Sequence, residues 1–121
     1  MSAYDRLDLA RKCYGAYVTG DRHVLEVLLS DDFTFSSPAD VGIDKTTYFE
    51  RCWPNSQLIG SFDFKRLIEA GDEVIVTYEC TKKDGSRFRN TEILTFRVTN
   101  WHGRKSTLAG IFERLSKRCA R

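Results

Sequence analysis

Residues 17–38, YVTGDRHVLEVLLSDDFTFSSP, decide how this chain is read. Gly20-Asp21 is a stop followed by a restart. Glycine takes the left-handed conformation that ends a helix, and aspartate accepts from the free N–H groups that open the next one. Val24, Leu25, Leu28 and Leu29 then give a short second helix its apolar side, and Ser30-Asp31-Asp32 ends it. Phe33-Thr34-Phe35-Ser36 alternates as a strand does and stops before Pro38. Two helices ahead of the first strand predict a helical cover over a curved sheet, with a pocket between the layers.

Toward the amino terminus, residues 3–18 place Leu7, Ala10, Tyr14, Tyr17 and Val18 on one helical stripe. Beyond Pro38 a loop, residues 39–43, leads to Asp44, a second capping aspartate, with Ile43 and Tyr48 at the staple positions around it. The third helix carries Tyr48, Phe49, Cys52 and Trp53, and Pro54 is expected to close it. The remainder is β-rich. Phe62-Asp63-Phe64 alternates and breaks at Lys65-Arg66, where a bulge is expected. Gly71-Asp72 and Asp84-Gly85 are turns that separate a strand around residues 74–80 from a long return strand, residues 88–98. A loop around Trp101 to Gly103 precedes a last strand, residues 107–112, and residues 113–121 read as a basic tail. Helices segregated from an antiparallel set of strands make an α+β domain.

The bulk properties agree with one domain spanning residues 1–121 and folded over about residues 4–112. A chain of 121 residues buries enough surface for a true core. No apolar run approaches the ~20 residues of a membrane span, and MSAYDRLDLARK lacks the apolar stretch of a secretory signal, so the expected compartment is the cytoplasm. Nineteen lysines and arginines face seventeen acidic residues, and the basic excess sits in the tail as Arg114, Lys117, Arg118 and Arg121 against Glu113. Nucleic-acid readers carry a basic face on the folded body instead, so no nucleic-acid partner is expected. Cys13, Cys52, Cys80 and Cys119 show no zinc spacing; the first three lie among apolar residues and read as reduced, small hydrophobes. No metal and no cofactor is expected.

This order of elements resembles the nuclear-transport-factor-2-like superfamily, particularly its SnoaL-like branch. The matching pieces are Gly20-Asp21, Leu29-Ser30-Asp31-Asp32-Phe33, Phe35-Ser36-Ser37-Pro38 and the strand around Arg87-Phe88-Arg89-Asn90-Thr91-Glu92. The resemblance covers residues 4–112 and implies a cystatin-like cone: three N-terminal helices packed on a strongly curved, mostly antiparallel sheet. It further implies a homodimer joined through the sheet face away from the pocket. Such proteins include isomerases, cyclases, dehydratases, epoxide hydrolases and members that only bind or dimerise. The residues that ketosteroid isomerases of this fold use align with Ser37, Cys13 and Leu94, so that mechanism is not expected here. No strand carries the Arg-x-Asp pair of the fold's epoxide hydrolases, and the two histidines, His23 and His102, lie in exposed contexts.

Glu92 is the foremost candidate for chemistry. It shares a strand face with Phe88, Leu94 and Phe96, and the resemblance turns that face toward the pocket. A carboxyl desolvated there has a raised pKa and suits general acid–base work near neutral pH. The same residue could instead be structural, paired with Arg51 or another cation. Asp40, just past Pro38, is the second catalytic candidate; its alternative is to cap Gly42-Ile43 or the third helix. Tyr14, Tyr17, Trp53, Tyr78 and Asn90 are the expected pocket and binding residues, with core packing as the alternative for the aromatics. The expected functions are therefore binding of a small apolar molecule, with or without cofactor-free lyase, isomerase or cyclase chemistry, or a dimeric assembly module with a filled cup.

Overall fold

The computed structural model describes residues 5–98 and 106–115. The first helix, α1 (Arg6–Thr19), starts where the Asp5 carboxylate accepts from the Leu7 N–H and ends at Gly20, whose φ is 73°. The second, α2 (Arg22–Leu28), is capped by Asp21 accepting from the Val24 N–H. The expected alternation of stop and restart is thus present. Strand β1 (Leu29–Ser36) begins four residues earlier than the aromatic alternation suggests. Lys45 explains part of this: its ammonium donates to the Glu26 and Leu29 carbonyls, closing α2 at the point where the chain extends.

A two-residue strand, β2 (Ile43–Asp44), precedes α3 (Lys45–Arg51), and Asp44 caps that helix by accepting from the Thr47 N–H at 2.8 Å. Pro54 does not close α3. It sits in the first turn of a 3-10 helix, Trp53–Leu58, a position where proline's missing N–H removes no helical bond. The sheet continues with β3 (Ile59–Ala70), β4 (Glu73–Lys82), β5 (Arg87–Val98) and β6 (Ser106–Leu115). The expected bulge is real, since the β3–β4 register shifts between Phe64 and Arg66. At the β4–β5 hairpin, Asp84 accepts from Ser86 and Gly85 has a φ of 91°, which only glycine adopts without strain.

The strand order is β2-β1-β6-β5-β4-β3. All pairings are antiparallel except β1 with β6, which run parallel. The helices cover one face, α1 against β3 and β4 and α3 against β1. One core joins the layers, with Phe33, Phe96, Leu25, Leu94, Val74 and Val76 among its fully buried members. This is the expected α+β cone, with an open, mixed sheet. Because β6 runs to Leu115, Glu113 belongs to the sheet and not to a tail. Trp101, His102, Cys119 and the tail after residue 115 lie outside the described residues.

Candidate functional site

The alternation of β5 sends Asn90, Glu92 and Leu94 to the helical side, and the same rule on β4 and β6 sends Tyr78, Ile111 and Glu113 there. Together with α1, α3 and the 3-10 segment they enclose a cavity of about 150 Å³. Tyr14, Tyr17, Tyr78, Asn90 and Glu92, five residues expected at the pocket, all line it. Trp53 does not; it packs edge-on behind Tyr17, with ring centroids 4.9 Å apart.

Glu92 sits at the buried end of a polar chain. Its Oε1 accepts from the Tyr14 hydroxyl at 2.6 Å and its Oε2 from the Tyr78 hydroxyl at 3.1 Å. Because Tyr78 spends its proton on Glu92, its oxygen is free to accept from Asn90 Nδ2, at 3.2 Å. The second Nδ2 proton of Asn90 goes to Glu113. A continuous chain therefore links Glu92, Tyr78, Asn90 and Glu113. The two glutamates are also direct cross-strand partners on β5 and β6. No cation pairs with Glu92 among the described residues. Arg51, the partner considered for it, binds Asp40 at 2.8 Å instead.

Two like charges in one cavity resist ionising together. Burial raises the Glu92 pKa, and the tyrosine hydrogen bonds only partly oppose that rise. Glu113 is pushed up to about 7, first by burial and then by the charges of Glu92 and Asp40. Burial likewise raises Tyr14, Tyr17, Tyr48 and Tyr78, so these hydroxyls stay protonated donors. The Cys52 thiol, also at the wall, is pushed up to about 11, again chiefly by burial, and is no nucleophile near neutrality. The site thus offers an apolar, ring-lined space with one acid poised near neutral pH.

Asp40 lies outside the cavity lining. Neither considered alternative holds for it: Asp44 caps α3, and the Ser36 hydroxyl accepts from the Gly42 N–H. Ser37 is taken up in the same loop, where its hydroxyl accepts from the Ala39 and Asp40 N–H groups. His23 is exposed, as expected. Glu113 and Cys52 were not foreseen at the site. Glu113 had a signal: continuing the alternation from Ile111 by one step puts it inside.

No family model matches the chain, and no curated protein does. Solved structures do match. An NTF2-like protein of unknown function in nutrient uptake from Rhodospirillum rubrum superposes with a TM-score of 0.76 at 21% identity, covering 93% of this chain and 99% of that one. An NTF2-like protein from Cytophaga hutchinsonii gives 0.72 at 18% identity, covering 96% and 100%. IdmH from Streptomyces antibioticus, a candidate polyketide cyclase, gives 0.68 at 15% identity, covering 91% of each chain. A helical layer over a curved, open sheet, superposing on these structures along nine-tenths of its length, gives this chain the NTF2-like fold.

Proposed function

We propose that this chain is a SnoaL-like protein that binds a small, largely apolar molecule in the cavity and exchanges a proton with it, as a cofactor-free lyase, isomerase or cyclase would. The observation that carries this reading is the acid pair, Glu92 and Glu113, opposite one another on adjacent strands and both facing the cavity. Glu113 is the group that meets the substrate. It is half-buried and titrates about 7, so it holds or releases a proton at little cost near neutrality. Glu92, deeper and held by both tyrosines, sets the charge that Glu113 feels. Asp40, clamped by Arg51, adds to that field from outside the lining.

A second reading keeps the binding and drops the chemistry. It is favoured by Glu92 itself, both of whose oxygens are occupied by protein donors. A thermal-shift screen of small apolar ketones, acids and phenols separates the cases, because a ligand at a hundred times its dissociation constant stabilises by about 2.7 kcal/mol. For a ligand so found, Glu113→Gln and Glu92→Gln should abolish turnover while binding survives. Binding without turnover in the wild type would leave the carrier reading, and no shift across the panel would leave an assembly module.

The homodimer belongs to this proposal too. Ile68, Ile75, Ile93 and Phe112 are successive cross-strand partners on the sheet face away from the cavity. Ile68 and Phe112 are 48% and 52% exposed, an apolar row across four strands that a second copy would cover. A reducing, cytoplasmic setting fits the free thiols of Cys13, Cys52 and Cys80.

A further inference from the structure

Tyr17 on α1 and Tyr48 on α3 bring their hydroxyl oxygens to 2.6 Å at the cavity wall. Two phenols carry two protons, and one contact between them uses only one. Whichever tyrosine donates, the other keeps an O–H with no acceptor among the described residues. The other two tyrosines of the cavity differ, since Tyr14 and Tyr78 both commit their protons to Glu92. Of four tyrosine hydroxyls lining the cavity, one proton is therefore left over.

The surroundings make that proton a good donor. Rings pack on both tyrosines: Trp53 against Tyr17, and Phe33 and Phe35 against Tyr48 at 5.1 and 5.3 Å. A hydroxyl that accepts one hydrogen bond also donates more strongly. We propose that the Tyr17–Tyr48 pair is the subsite that receives a neutral acceptor oxygen of the ligand, and that the ligand is a small carbonyl compound. A carboxylate is disfavoured because the cavity lining offers it no lysine, arginine or histidine among the described residues and already holds two acids, Glu92 and Glu113, that resist ionising together. A hydrocarbon would leave the buried O–H unpaired, which is costly. The assignment rests on the proposed use of the cavity, and adds to it the chemical class of what enters and the end by which it is held.

The test uses acetophenone, its shape analogue α-methylstyrene, and benzoate, with wild-type protein and the Tyr17→Phe, Tyr48→Phe and double variants. Acetophenone should bind the double variant about five- to tenfold more weakly than the wild type, the worth of one hydrogen bond. The hydrocarbon should bind both proteins alike, and benzoate should bind neither measurably. Each single variant should lose less than the double, because the remaining hydroxyl still holds its own proton. The infrared carbonyl band of labelled acetophenone gives a check without any variant: bound to wild type it should lie below its position in an apolar solvent. A band at the apolar position overturns the assignment, as does an equal response of ketone and hydrocarbon in the double variant. Binding of neither neutral probe to wild type overturns the cavity's use as a whole, whereas loss of turnover alone in Glu113→Gln bears only on the acid.

Discussion

Replacing Glu113 by glutamine should stabilise the protein above neutral pH and leave it little changed below pH 5. Burial, together with Glu92 and Asp40, raises the Glu113 carboxyl from its ordinary 4.5 to about 7. A group whose folded pKa lies above its unfolded one contributes its full stability below the unfolded value. That contribution is lost as pH rises through the folded value, because the native state must give up a proton it holds tightly. At about 1.4 kcal/mol per pKa unit the loss would reach about 3 kcal/mol, and water reaching the half-buried carboxyl trims this to about 2 kcal/mol. For a domain of this size that is about 6–8 °C in melting temperature. Glutamine keeps an oxygen to accept from Asn90 while removing the titration, so the hydrogen bond is retained. Exposed aspartates such as Asp32, Asp44 and Asp84, whose pKa values are lowered by hydrogen bonds, act at lower pH and cancel in the comparison. Unfolding in urea of both proteins from pH 5 to 9 measures the difference directly. Parallel stability curves, or a glutamine variant less stable than wild type at pH 8.5, would refute the reasoning.

Other consequences follow from named contacts. Tyr14→Phe removes the 2.6 Å donor to Glu92 and should cost about 1.5–3 kcal/mol, because a buried carboxyl oxygen then loses its shorter hydrogen bond; denaturant unfolding of the two proteins checks this. Gly60→Ala places a Cβ 2.8 Å from the Thr81 carbonyl oxygen, so it should lose about 1–3 kcal/mol, read as a lower urea midpoint with unchanged slope. Phe112→Glu sets a charge at one end of the outer apolar row and should shift sedimentation toward the monomer while the near-ultraviolet spectrum is kept; an unchanged sedimentation coefficient would remove that face from the interface.

What could be read from the chain in advance was what local chemistry determines. Gly20-Asp21, Asp44 and Asp84-Gly85 each act within a few residues of themselves, and each appears where expected. The bulge at Lys65-Arg66 was visible as a broken alternation. Non-local pairing was harder. Leu29 to Asp32 read as the end of a helix because their polarity hides a strand whose partner, β6, lies some eighty residues away and runs parallel. Glu113 was assigned to the tail because the basic residues that follow it dominate the local composition, although Ile111 had already fixed its face. Glu92 was found because its whole strand alternates cleanly. The Tyr17–Tyr48 contact joins two helices thirty-one residues apart, and no spacing rule connects them. Fold signals are repeated along the chain, whereas a site is made by single side chains meeting once.

The acid pair is the centre of the account, and its ionisation can be observed at each carboxyl. With glutamate side chains labelled at the carboxyl carbon, the two resonances would be assigned through Glu92→Gln and Glu113→Gln and followed by NMR from pH 3 to 10. Glu113 should titrate about 7 and shift downward in Glu92→Gln, and Glu92 should titrate above the ordinary carboxylate range. Two independent midpoints near 4.5, unmoved by either substitution, would contradict the claim that these glutamates form one buried, coupled acid.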